Sequence, residues 1–189
     1  MIARVTQRSD ARRNREALLA AAERVFAEYS PAAPLQLVAE AAGVGRGTLY
    51  RHFPDRTALV AAIYEARLGR YEAFAATHAD DPDLLFLVLR MVAEEQMQIP
   101  GLFRIINSVS VTTPLLSELW KRTVTAFRLP LEVSIAAGRV RPDVELRDLF
   151  LAISMLYGVA NSPTTYDHDE VVIDHALAIL KHGLGPISS

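Results

Sequence analysis

Eleven residues, Gly43-Val44-Gly45-Arg46-Gly47-Thr48-Leu49-Tyr50-Arg51-His52-Phe53, leave this chain few ways to fold. Before them, Leu35-Gln36-Leu37-Val38-Ala39-Glu40-Ala41-Ala42 holds no helix breaker and is rich in residues that favour a helix. Gly43 then supplies the left-handed backbone position that ends such a helix. Val44 is a lone apolar residue placed to plug the gap between two crossing helices, and Gly45 opens the second helix as its N-cap. A short helix, a tight glycine turn and a second short helix make a helix-turn-helix. On the second helix Leu49 and Phe53 lie four apart and face inward. Arg46, Thr48, Tyr50, Arg51 and His52 are left for the other faces, a set able to donate to phosphates and touch base edges.

The run Ala-Gly-Val-Gly-Arg-Gly-Thr-Leu-Tyr-Arg-His-Phe-Pro-Asp-Arg, Ala42 to Arg56, resembles the signature of the TetR family of bacterial transcriptional regulators. The likeness extends back through Leu18, Ala21, Ala22, Phe26 and Glu28, and forward through Ala58-Leu59-Val60, about the first third of the chain. Two positions depart from it. Ser30 stands where such proteins usually have Gly, and Pro34-Leu35 stand where a Ser or Thr usually caps the second helix and meets phosphate. Pro34 still suits a helix start, since it has no N–H to leave unpaired.

The resemblance implies roles residue by residue. Arg46 and Arg51 would read guanine edges, because a guanidinium fork matches O6 and N7. Thr48 and Tyr50 would meet phosphate or base methyl groups, His52 would grip phosphate, and Gly47 would let backbone approach DNA closely. Gln36 would reach a base or phosphate from the preceding helix. Arg56 opens the next helix, where a cation sits poorly with the helix dipole; a grip on phosphate would explain it. The resemblance further implies an Ω-shaped homodimer closed by the last two helices of each subunit, and a palindromic operator to match its two-fold axis. It divides the chain into a DNA-binding head, 1–54, with the helix-turn-helix at about 34–53, and an effector-binding and dimerisation domain, 55–189.

Charge is distributed to suit. The net charge is −2, but residues 1–56 carry nine Arg and six acids, and the remainder 11 basic and 16 acidic residues. A basic head on an acidic body is the footprint expected of nucleic-acid binding confined to one end. Arg4, Arg8, Arg12, Arg13 and Arg15 make a basic N-terminal arm able to track phosphates or enter a minor groove. The chain has no Cys, which excludes disulfide and thiolate chemistry and fits a reducing cytoplasm. Met1 to Ser9 lacks the apolar centre of a signal peptide, and Leu149 to Asn161, the longest uncharged apolar-rich run, is too short to cross a bilayer.

Along the chain, Leu18, Ala22, Val25, Phe26 and Tyr29 form one apolar face of a helix from about Asp10 to Tyr29. Asp55 caps a long helix running to about Thr77. Asp81-Pro82 starts another, Pro82 to Gln98, apolar nearly all round through Leu84 to Leu89. Leu102 to Val111, rich in Ile and Val, is a short helix candidate, with an isolated strand as the local alternative. The next runs from Leu115 to about Ala137, with Pro130 inside it to kink or split it. The last two run from about Val144 to Asn161 and from Asp169 to Gly183, the second with Asp167 and Glu170 at capping-box spacing. No run alternates as a strand would. The expected class is all-α: a three-helix head followed by a helical domain, about nine helices in all.

A small, largely apolar effector is expected among the helices from Arg90 to Phe127. Met91, Phe103, Trp120, Val124, Phe127 and Tyr157 offer apolar walls, and Gln96 and Asn107 can orient a polar group. Binding there would move the helix that begins at Asp55 and change the spacing of the heads. Control by a protein partner is the alternative. An all-α enzyme is the more distant one: no nucleophile elbow, phosphate loop or zinc-binding pair is present, and Ser108, Ser110 and Asn107 lack an evident catalytic partner. His168, His175 and His182 recur every seven residues, about 10 Å apart along a helix, too far to share one ion. No metal or cofactor is expected.

Overall fold

The computed structural model describes residues 2–108, 114–161 and 170–186. Among the described residues the chain is all-α, with nine helices and no strand. They are α1 (Ile2–Glu28), α2 (Leu35–Ala41), α3 (Arg46–His52), α4 (Arg56–Thr77), α5 (Leu84–Gln98), α6 (Leu102–Ser108), α7 (Pro114–Ala136), α8 (Leu146–Ala160) and α9 (Glu170–Leu184). None is long and apolar enough to cross a membrane.

The chain falls into two compact units, Met1–Tyr64 with Ile99–Val109, and Glu65–Gln98 with Ser110–Ser189. This division differs from the expected one at 54/55. The reason is packing: Leu59, Val60, Ala62 and Ile63 of α4 share one core with Leu18, Ala22, Phe26, Val38, Leu49 and Phe53. Ile99 and Leu102 belong to that same core, with Ile105 packed against it, so α6 joins the first unit.

In the first unit, α1 starts at Ile2, eight residues before the expected Asp10. The segment read as a basic arm is helical backbone. It contains no Gly or Pro, and Arg and Gln are good helix formers. Tyr29, assigned to the apolar face, stands just past the last turn and is 62% exposed. Gly43 has φ +67°, the left-handed turn its position calls for, and Val44 packs half-buried against the core. The Asp55 carboxylate accepts the Ala58 N–H at 2.7 Å, the cap expected at the start of α4.

In the second unit α5 is the helix that α7, α8 and α9 all pack against, and Leu84, Leu85, Phe86, Val88 and Leu89 are buried. Its start is fixed from α7: Ser134, fully buried, accepts the Leu85 N–H on its hydroxyl at 3.1 Å. Pro130 neither splits nor ends α7, which runs unbroken to Ala136. Pro130 and Leu131 are buried, and that burial offsets the one backbone hydrogen bond that proline cannot make. At the start of α8 the Asp148 carboxylate accepts the Glu145 N–H at 2.8 Å, half of a capping box that the sequence reading passed over. The box read at Asp167 lies outside the described residues.

Two ionic ties hold the second half of α4. Glu95 of α5 accepts from Arg70 Nε and Nη2 at 3.1 and 2.7 Å and from the Tyr71 hydroxyl. Arg67, also buried, lies 3.6 Å from the Glu95 carboxylate and donates to its backbone carbonyl at 2.9 Å. From α7, Arg122 donates through Nε at 2.7 Å and Nη2 at 2.5 Å to the two Glu72 oxygens. This bidentate hydrogen bond holds the Glu72 carboxyl below its ordinary pKa.

Candidate nucleic-acid interface

α3 is seven residues long, and its sequence decides which way each side chain faces. At 3.6 residues per turn, Arg46, Gly47, Tyr50 and Arg51 share an arc of about 140°. All four are exposed. Leu49 lies off that arc and Phe53 follows the last helical turn in extended conformation; each is 1% exposed, seated in the core of the first unit. Thr48 and His52 also lie off the exposed arc and are half-buried. Gly45 is the N-cap in extended conformation, and no side chain caps either α2 or α3. Two seven-residue helices without caps do not hold themselves together; their shape comes from the core beneath them.

No hydrogen bond or ion pair engages the Arg46 and Arg51 guanidinium groups among the described residues. Each is therefore a full positive charge with five free donors on one exposed face. Gln36, at the exposed start of α2, donates its amide to the Glu40 carboxylate at 2.7 Å.

Arg56 is placed differently from the expectation. Its guanidinium is half-buried and turned into the protein, with Nη1 donating to the Pro31 carbonyl and Nη2 to the Ala33 carbonyl at 2.6 Å. It also lies 5.9 Å from the centre of the Phe26 ring. These partners stabilise a cation in the first turn of a helix. Two other arginines of the basic third are likewise occupied. Arg15 sits over the Phe53 ring at 4.8 Å, and Arg24 donates to the Ala41 carbonyl at 3.4 Å. Residue type alone gave no sign of this, since an arginine's long-range partners are set by the fold.

The eight expected effector residues divide between the two units. Phe103 and Asn107 fall in the first unit and the other six in the second. The Asn107 side chain lies outside the described residues. Trp120 is 46% exposed and packs its ring 4.6 Å from Phe150, so it lies on the surface. Phe127 is buried edge-on between Tyr71 and Phe150 as ordinary core. Met91, Val124 and Tyr157 are half-buried. Gln96 differs from the rest: it is 7% exposed, and neither atom of its amide has a hydrogen-bond partner. A groove of about 240 Å³ between α5 and α9 is lined by Arg90, Glu94, Met97, Gln98 and Ile173, and by none of the eight.

Comparison with known proteins converges on one family. Residues 18–63 match the family of bacterial regulatory proteins described as the tetR family. Over 89 residues the chain is 40% identical to the HTH-type transcriptional repressor LfrR of Mycolicibacterium smegmatis, and the match spans 46% of this chain and 46% of that relative, about half its length. The fold is similar to the crystal structure of the TetR transcriptional regulator SCO0520 from Streptomyces coelicolor, with TM-score 0.64, 28% identity and coverage of 92% of this chain and 99% of that one. LfrR from Mycobacterium smegmatis, solved in complex with proflavine, is similar with TM-score 0.61, 25% identity and coverage of 93% and 99%. These relatives are regulators, not enzymes. The head, residues 18–63, thus matches the tetR family of bacterial regulatory proteins, and nearly the whole length of the chain is similar in fold to regulators of that family.

Proposed function

We propose that this chain is a repressor that binds a palindromic operator as a homodimer, with α3 in the major groove, and lets go when a small molecule binds the second unit. The observation that carries the reading is the exposed arc of α3. Arg46 and Arg51 stand on it with no partner, above a Leu49–Phe53 underside locked in the core. Charged donors left unpaired on a rigid face are suited to base edges and phosphates. In this assignment Arg46 and Arg51 read guanine, Thr48, Tyr50 and His52 take phosphate or methyl groups, and Gly47 admits the backbone. Gln36 makes a secondary contact after parting from Glu40.

Dimerisation is supported by α8 and α9. Leu151 and Met155 of α8 and Ile179 of α9 are 63%, 58% and 63% exposed, large apolar side chains that water disfavours on two helices that pack together. A second copy of the same helices covers them. The effector reading rests on Gln96. A buried amide without partners costs free energy until something bonds it. A flat, mostly apolar molecule with one group that both donates and accepts would satisfy it, in keeping with the proflavine bound by LfrR. Such a ligand lowers operator affinity only if it prefers the conformation that does not hold DNA.

The experiment is selection of duplexes from random-sequence DNA, repeated with Arg51→Ala. The variant should lose about 1–3 kcal/mol at a guanine of the selected site, roughly five- to hundredfold, and relax the base preference there. An identical set of selected sequences would remove Arg51 as a reader.

A further inference from the structure

Arg56 has a role that its position in the sequence conceals. Four hydrogen bonds tie down the loop between α1 and α2, Ser30-Pro31-Ala32-Ala33. Ser30 takes the two amides: its hydroxyl accepts the Ala32 N–H at 3.2 Å and its carbonyl the Ala33 N–H at 3.0 Å. Arg56 takes two carbonyls, those of Pro31 and Ala33. Pro31 and Ala33 are buried, where an unpaired carbonyl is costly. The loop leads directly into Pro34 and α2, whose start has no side-chain cap. α2 therefore takes its direction from that loop and from the core that buries Leu35.

We infer that Arg56 is a positioning residue: its guanidinium fork pins the α1–α2 loop to the start of α4 and so sets the orientation of α2 and, through it, of the recognition helix. Only a planar fork does this. Nη1 and Nη2 each meet a different carbonyl, two residues apart, while the Phe26 ring flanks the group. The bond pair also makes the head responsive to α4. A displacement of the first turn of α4 pulls on Pro31 and Ala33, hence on α2. The part of the inference that concerns DNA rests on the proposed operator binding; the anchoring itself does not.

Arg56→Ala and Arg56→Lys test it with two readouts. The first is amide hydrogen exchange at residues 32–37 in the DNA-free protein, with global stability recorded alongside. Both variants should exchange faster there than wild type, because lysine offers one nitrogen, on a flexible stem, in place of the two that each meet a carbonyl. The second is affinity for a duplex selected by the wild-type protein, measured across salt concentrations. Both variants should bind about tenfold more weakly, with the slope of log affinity against log salt unchanged. A direct phosphate contact gives the opposite pattern: the slope of Arg56→Ala falls by about one and Arg56→Lys restores binding. That pattern, or unaltered exchange at residues 32–37, overturns the inference. If the wild type selects no duplex, the operator reading falls, and the exchange data still decide the anchor.

Discussion

Glu95→Leu should lower the unfolding free energy by about 3–5 kcal/mol, the usual consequence of removing one partner from a buried ionic group. The carboxylate faces Arg67, Arg70 and Tyr71, and its side chain is 12% exposed. Arg70, with its side chain 46% exposed, can turn to water once Glu95 is gone. Arg67, at 6%, cannot. It keeps its bond to the Glu95 backbone carbonyl but holds an unbalanced charge in the interior. Thermal unfolding should move down by on the order of 10 °C. The double variant Glu95→Leu with Arg67→Met should recover most of the loss, because apolar replacement of both partners removes the buried charge altogether. A single variant within about 1 kcal/mol of wild type would mean the cluster is solvated and has little bearing on stability.

The second large effect concerns association. Leu151→Glu combined with Ile179→Glu places two like charges on the exposed apolar face of α8 and α9. Both positions are 63% exposed in the single chain, so helicity and the thermal transition of the monomer should change little. The proposed dimer should not form, since each charge would be buried opposite its own copy without a counter-ion. Losing the second head should cost about 10²–10⁴ in affinity for a palindromic duplex and leave half-site binding intact. Sedimentation gives the mass and titration against whole and half sites gives the affinity. A double variant that still sediments as a dimer would move the interface elsewhere.

The features legible in the sequence were those set by near neighbours. Gly43 announced its left-handed turn, Asp55 its cap, and the spacing of Leu49 and Phe53 the buried side of α3. Each depends on residues within a turn or two, where periodicity and capping chemistry decide the outcome. What escaped depends on partners far along the chain. Arg15, Arg24 and Arg56 read as a cationic surface, yet each is bound to an aromatic ring or a carbonyl across the head. α6 read as part of the effector domain. A seven-residue apolar helix carries no mark of which core it will join, and Ile99 and Leu102 joined that of the head. Glu95 drew no notice, because an acidic residue next to another, Glu94, looks like a solvated edge until two arginines of α4 are seen around it. Pro130, read locally as a kink or a split, lies within a helix that is not split.

The brevity of α2 and α3 bears on how a duplex would be met. Helices of seven residues are too short to persist as isolated peptides, so here they exist because the rest of the head is already assembled. Recognition would then involve a ready-made surface, with no segment crystallising out of disorder on the DNA. Calorimetry of the encounter should accordingly give a heat-capacity decrement no larger than the covered interface itself accounts for.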